Sequence, residues 1–76
     1  MVSYKPLWHT LISRDMKKMD LVSRGIVGRS TLAKMGRNEY VALEVIDRIC
    51  TDLDCSIAEV VEVTRASAAD KESPDA

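Results

Sequence analysis

Apolar residues recur along this chain at the three- and four-residue spacing of amphipathic helices. Leu7, Trp8, Leu11 and Ile12 form one stripe, while His9, Thr10, Ser13 and Arg14 fall elsewhere. Pro6 suits a first helical turn, where its missing N–H costs nothing, so the first helix is predicted over 6–14. A second is predicted over 17–24, with Leu21 and Val22 inward and Met16 or Met19 filling the gap before it. Gly25 would end it in the left-handed conformation that glycine accepts. Gly28 precedes a third helix over 29–35, with Leu32 and Met35 inward and Gly36 closing it; 37–41 reads as a polar loop.

The fourth helix is expected over 42–53, with Leu43, Ile46, Ile49, Cys50 and Leu53 inward and Glu44, Asp47, Arg48 and Asp52 outward. After a turn at Asp54-Cys55, Ser56 with Glu59 three residues on is a capping-box signature, so a fifth helix would start at Ser56. Its apolar side is Ile57, Val60 and Val61, and the β-branched run through Val63 favours an early switch to extended chain. Segments 2–4 and 61–63 would then pair as a very small sheet. The expected fold class is all-α, a compact five-helix domain over 1–63. Positions 64–76, poor in large apolar residues, read as a disordered acidic tail.

Seventy-six residues make one domain at most. A chain this short buries only about 60% of its unfolded surface, so the core must be simple. No apolar run approaches the roughly 20 residues of a membrane span, and Lys5, Pro6, His9 and Arg14 interrupt any signal-like layout. The expectation is a cytoplasmic protein without a membrane partner.

Charge changes the picture more than composition does. The net charge is −1, but it is polarised along the chain. Seven bases (Arg14, Lys17, Lys18, Arg24, Arg29, Lys34, Arg37) face two acids (Asp15, Asp20) over 14–37, a balance of +5. Over 38–64, Arg48 alone faces seven acids, a balance of −6. A third helix presenting Arg29, Ser30, Thr31 and Lys34 on one face is suited to a DNA major groove.

Other chemistry finds little support. Cys50 reads as a small buried hydrophobe and Cys55 as a turn residue; a disulfide between them would fit a secreted chain better. Zinc is not expected, because His9 is the one histidine and no second cysteine pair exists. There is no nucleophile–base pair, metal cluster or phosphate-cradling loop, so neither an enzyme nor a cofactor is expected. Trp8 is read as core and His9 as surface.

The ordered set of motifs resembles the lambda-repressor/Cro-like helix-turn-helix family, especially its small single-domain bacterial or phage members. The matching residues are Tyr4, Leu7 and Trp8; Lys18, Asp20 and Leu21; Ser30 through Gly36; Leu43 through Ile46; and Ile49-Cys50 with Leu53, Asp54 and Cys55. One departure stands out. The family's bend glycine falls on Ile26 in ungapped alignment, with Gly25 one residue early. Either the second helix ends one residue sooner, or Ile26 adopts an unfavourable backbone. The first is preferred, because β-branched residues resist positive φ.

The resemblance implies sequence-specific binding of double-stranded DNA by a transcriptional regulator, most simply a repressor. The third helix would be the recognition helix, with Arg29 and Ser30 at base-reading positions and Thr31 and Lys34 supplementing them. Lys18, Arg37 and Asn38 would meet backbone phosphates, with Lys17 and Arg24 as electrostatic helpers. Such domains commonly act as homodimers, here through the fourth- and fifth-helix region. The competing reading is an antitoxin-like or regulator-binding protein-interaction module that uses the acidic fourth and fifth helices.

Overall fold

The computed structural model describes residues 1–64. Apart from Thr64, the expected tail lies outside the described residues. The element order is β1 (Val2–Ser3), α1 (Lys5–Ser13), α2 (Lys18–Ser23), α3 (Arg29–Gly36), α4 (Leu43–Leu53), a single 3₁₀ turn (Ile57–Glu59) and β2 (Glu62–Val63). The two strands pair antiparallel, Val2 with Val63 and Ser3 with Glu62, as the β-branched pattern suggested.

Among the described residues the architecture therefore has four α-helices rather than five. The capping signature at Ser56 does form: the Ser56 N–H donates to Glu59 Oε1 at 2.9 Å. Helix does not propagate from it, because Val60 turns into the core and the chain then extends to pair with β1. A capped turn nucleates but one hydrogen-bonded turn is not self-sustaining, and β-branched residues favour the extended alternative.

All four helices stop by the same device. A residue with positive φ follows each: Asp15 (59°), Gly25 (74°), Asn38 (58°) and Asp54 (53°). In α2, the Gly25 N–H reaches Val22 O and the Ile26 N–H reaches Leu21 O, both at 2.9 Å, which is the paired bond of a Schellman motif. Equivalent pairs run from Asp15 and Met16 to Ile12 and Leu11, from Asn38 and Glu39 to Met35 and Lys34, and from Asp54 and Cys55 to Thr51 and Cys50. The expectation that Gly36 closes α3 is thus corrected: Gly36 is the last helical residue, and Asn38 supplies the left-handed turn. The Asn38 side chain adds a reason, since its Oδ1 accepts the Tyr4 N–H at 3.2 Å.

A Schellman motif also brings its outermost residue onto the helix residue five earlier. That resolves the bend. Gly25 takes the left-handed angle, and Ile26, at 2% exposure, packs into the core beside Leu21 rather than straining its backbone. Leu11 with Met16 repeats the arrangement, as does Cys50 with Cys55. Both cysteines are free and half-buried, so Cys50 is not fully enclosed as expected; burial pushes the Cys55 thiol up.

The core gathers Tyr4, Leu7, Leu11, Leu21, Ile26, Val27, Met35, Ile46, Ile49, Leu53 and Val60, with half-buried Trp8 against it. Two residues predicted to face inward do not: Ile12 is 74% and Leu43 72% exposed. Each lies at the edge of its helical stripe near a helix end, where no neighbouring element covers it. Met16, not Met19, fills the gap before α2. Polar ties close the bundle. Thr10 Oγ1 donates to Glu59 O at 2.7 Å, Tyr4 OH donates to Glu39 O at 2.7 Å, and the Arg14 guanidinium donates to Leu53 O at the end of α4.

Candidate nucleic-acid interface

Helix α2 begins with an extended Lys17, whose N–H donates to Asp20 Oδ2 at 2.8 Å. This places an acid in the first turn, where the helix dipole favours it. Lys17 and Lys18 stay exposed, and the Lys18 ammonium lies 4.4 Å from the centroid of the Trp8 ring. Trp8 therefore does two things, packing on the core with one side and holding a cation against its π face with the other.

The tight Gly25 turn packs α2 on α3. Gly28 enters α3 in an extended conformation and offers no side-chain cap, so no side chain covers the first-turn N–H groups. Helix α3 then divides sharply. At about 100° per residue, Arg29, Ser30, Ala33, Lys34 and Arg37 fall within an arc of about 140°. All five are exposed, while Met35 is buried and Leu32 half-buried on the opposite side. Thr31, expected on the reading face, is half-buried at its flank instead.

The structure therefore brings Arg29, Ser30, Lys34 and Arg37 together on one exposed surface, and Lys17, Lys18 and Arg24 are exposed on and beside α2. Arg24, exposed just past the end of α2, lines a shallow depression with Ile26 and Asp52 of α4. Asn38 is exposed but structurally engaged, its carboxamide oxygen tied to Tyr4. Arg37 has a partner of its own. Its Nε donates to Glu39 Oε2 at 2.7 Å, and that contact holds the Arg37 guanidinium above and the Glu39 carboxyl below their ordinary ranges.

Sequence reasoning missed three participants. Ala33 sits mid-arc, one turn beyond Arg29, and the helical spacing of the exposed residues would have found it. The Trp8–Lys18 stack joins residues across the α1–α2 loop and the Arg37–Glu39 pair lies within the turn that ends α3, and helical periodicity carries no signal for either.

A short exposed basic helix following a tight turn from a preceding helix is the helix-turn-helix arrangement of DNA-binding domains. The chain matches the Cro/C1-type HTH DNA-binding domain over residues 6–65, and it belongs to that family. The solved structure of the transcriptional regulator VanUg, crystal form II, is similar to it at 48% identity and a TM-score of 0.76. That likeness covers 80% of this chain and 81% of the other. No curated protein matches the chain. The domain is thus a DNA-binding one of the kind found in transcriptional regulators. Among the described residues, no helix is long and apolar enough to cross a membrane, and no group of three or more candidate metal-ligating side chains is present.

Proposed function

We propose that this domain binds a specific double-stranded DNA site as a transcriptional regulator, with α3 in the major groove. The observation that carries the reading is the exposed arc of four α3 residues and the capping residue Arg37, set within a stretch from 21 to 38 that contains no acid. Arg29, at the start of the helix, is the principal reader, because a guanidinium can bond guanine O6 and N7 together. Ser30 and Lys34 supplement it, and the Ala33 methyl suits close approach to a thymine methyl. Thr31, at the flank, contributes at most at the edge. Lys17, Lys18 and Arg37 neutralise phosphates with Arg24 as an electrostatic helper, whereas Asn38, tied to Tyr4, acts mainly within the fold.

One domain reads only a few base pairs, so the proposed unit is a homodimer on a two-fold site. Its half-sites would lie about 34 Å apart. The surface that suits it is a mainly apolar groove along α4 and the 3₁₀ turn, lined by Leu43, Ile46, Asp47, Cys50 and Ile57, of which Leu43 and Ile57 are exposed apolar residues. Repression is the simplest regulatory outcome, since occupancy of a site overlapping a promoter suffices. Action in the cytoplasm belongs to the same proposal. The regular Gly25 turn favours this reading over a protein-interaction module with a degenerate motif, because Ile26 imposes no distortion on the approach to α3.

Selecting bound sequences from a random duplex pool tests the reading. The expected result is a two-fold-related motif with half-sites one helical turn apart. Recovery of unenriched sequence, with no salt-dependent binding, would overturn it.

A further inference from the structure

The end of α3 differs from the ends of the other three helices in one respect. The Schellman motifs of α1, α2 and α4 juxtapose pairs of apolar or thiol side chains: Leu11 with Met16, Leu21 with Ile26, Cys50 with Cys55. The same two positions in α3 hold Lys34 and Glu39. Backbone geometry therefore sets an acid against the reading helix, where its sisters seal the core. The Glu39 N–H donates to Lys34 O at 2.9 Å, and the left-handed Asn38 before it is tied to Tyr4. Glu39 is also the first acid after Asp20, ending the acid-free stretch that includes the whole of α3.

The carboxylate is engaged. Arg37 Nε donates to Glu39 Oε2 at 2.7 Å, with both side chains open to solvent at 60% and 47% exposure. The hydrogen bond from Arg37 is the main cause that draws the Glu39 carboxyl down, and the Lys34 charge adds to it. An ion pair so exposed contributes little to folding and exchanges readily for another partner. A phosphate oxygen offers the guanidinium the same acceptor chemistry as the carboxylate does.

On the DNA-binding reading above, we infer that Glu39 is an internal stand-in for a backbone phosphate. It occupies Arg37 in the free protein, and DNA must displace it, so this one residue lowers affinity for every sequence. The opposite role, a buttress that aims Arg37 at phosphate, gives the opposite sign on mutation.

The test is the titration of labelled duplexes, one containing the selected site and one scrambled, with wild type, E39Q, R37A and R37A/E39Q across a salt series. The glutamine keeps the shape and removes the charge. E39Q is expected to bind both duplexes about three- to tenfold more tightly, the size of one unfavourable charge contact at the surface. Its log affinity against log salt should steepen by up to about one unit. In the R37A background the gain should shrink to less than about twofold, because Arg37 transmits it. The melting temperature should hold within about 3 °C, as expected of an exposed substitution. If R37A weakens binding but E39Q leaves it equal or weaker, Glu39 is a buttress or a bystander and the inference falls, while DNA binding stands. An undiminished gain in the R37A background also overturns it, since the effect would then be general repulsion. Absence of salt-dependent binding by the wild type and every variant would instead remove the DNA-binding reading, and this inference with it.

Discussion

Helices α3 and α4 follow one another in the chain and divide its labour. Helix α4 directs Ile46, Ile49 and Leu53 into the core across 11 residues. Helix α3 buries only Met35 of its eight. It is held by what surrounds it: the Gly25 turn behind, the Asn38 turn ahead and half-buried Leu32 beneath. Because α3 contributes so little to the core, its exposed arc is free to carry Arg29, Ser30, Lys34 and Arg37. On the proposed reading, stability and recognition are nearly separable in this domain. Substitutions in α4 should act on folding, and substitutions on the α3 arc on binding.

The largest effect that could break this division is at Ile49, which is fully buried. Ile49→Ala should cost about 2–5 kcal/mol of stability. In a domain this small that is a large share of the total, so thermal denaturation should show a much lowered or absent transition. A near-wild-type melt would show that α4 is not the anchor. Next is Gly25→Ala. Its φ of 74° penalises any Cβ, although no neighbouring atom would be touched, so a loss of about 1–2 kcal/mol is expected in chemical denaturation. Gly36→Ala should have the opposite sign. It lies in ordinary helical backbone with open space around a Cβ, and alanine there should raise stability by about 0.5–1 kcal/mol. The smallest effect is at Lys18: Lys18→Ala should weaken all duplexes alike and reduce the salt slope by about one unit, measured by titration at several salt concentrations.

Much of this organisation was legible in the sequence. Four helices stand within a residue or two of their expected bounds, and the pairing of the terminal segments followed from β-branched residues at both ends of the domain. What was not legible had identifiable causes. Gly25 marks the stop of α2, and the turn expected at Asp54-Cys55 ends α4; the left-handed stops at Asp15 and Asn38 carry no such mark, because short polar side chains are equally at home elsewhere on a surface. Ser56 and Glu59 signalled a helix start correctly, yet nothing local to them shows that the following valines pair with β1 and turn inward instead. Ile12 and Leu43 satisfied the apolar spacing, and spacing cannot tell which edge of a short stripe lacks a neighbour. On the candidate site, the exposure of Arg29, Ser30 and Lys34 on one face is legible from periodicity and charge. The half-burial of Thr31, the Asn38 tie to Tyr4 and the Glu39 contact on Arg37 need the tertiary arrangement.

The central claim is that the exposed arc of α3 reads DNA while leaving the fold to others. Its most direct test compares wild type and Arg29→Ala at one fixed salt concentration, on the selected duplex and on a scrambled one, with melting temperatures taken alongside. The account predicts an unchanged melt and a loss of about 1–3 kcal/mol on the selected duplex, roughly 5- to 150-fold in affinity, with a much smaller loss on the scrambled one. Binding of both duplexes at wild-type strength by Arg29→Ala would contradict it.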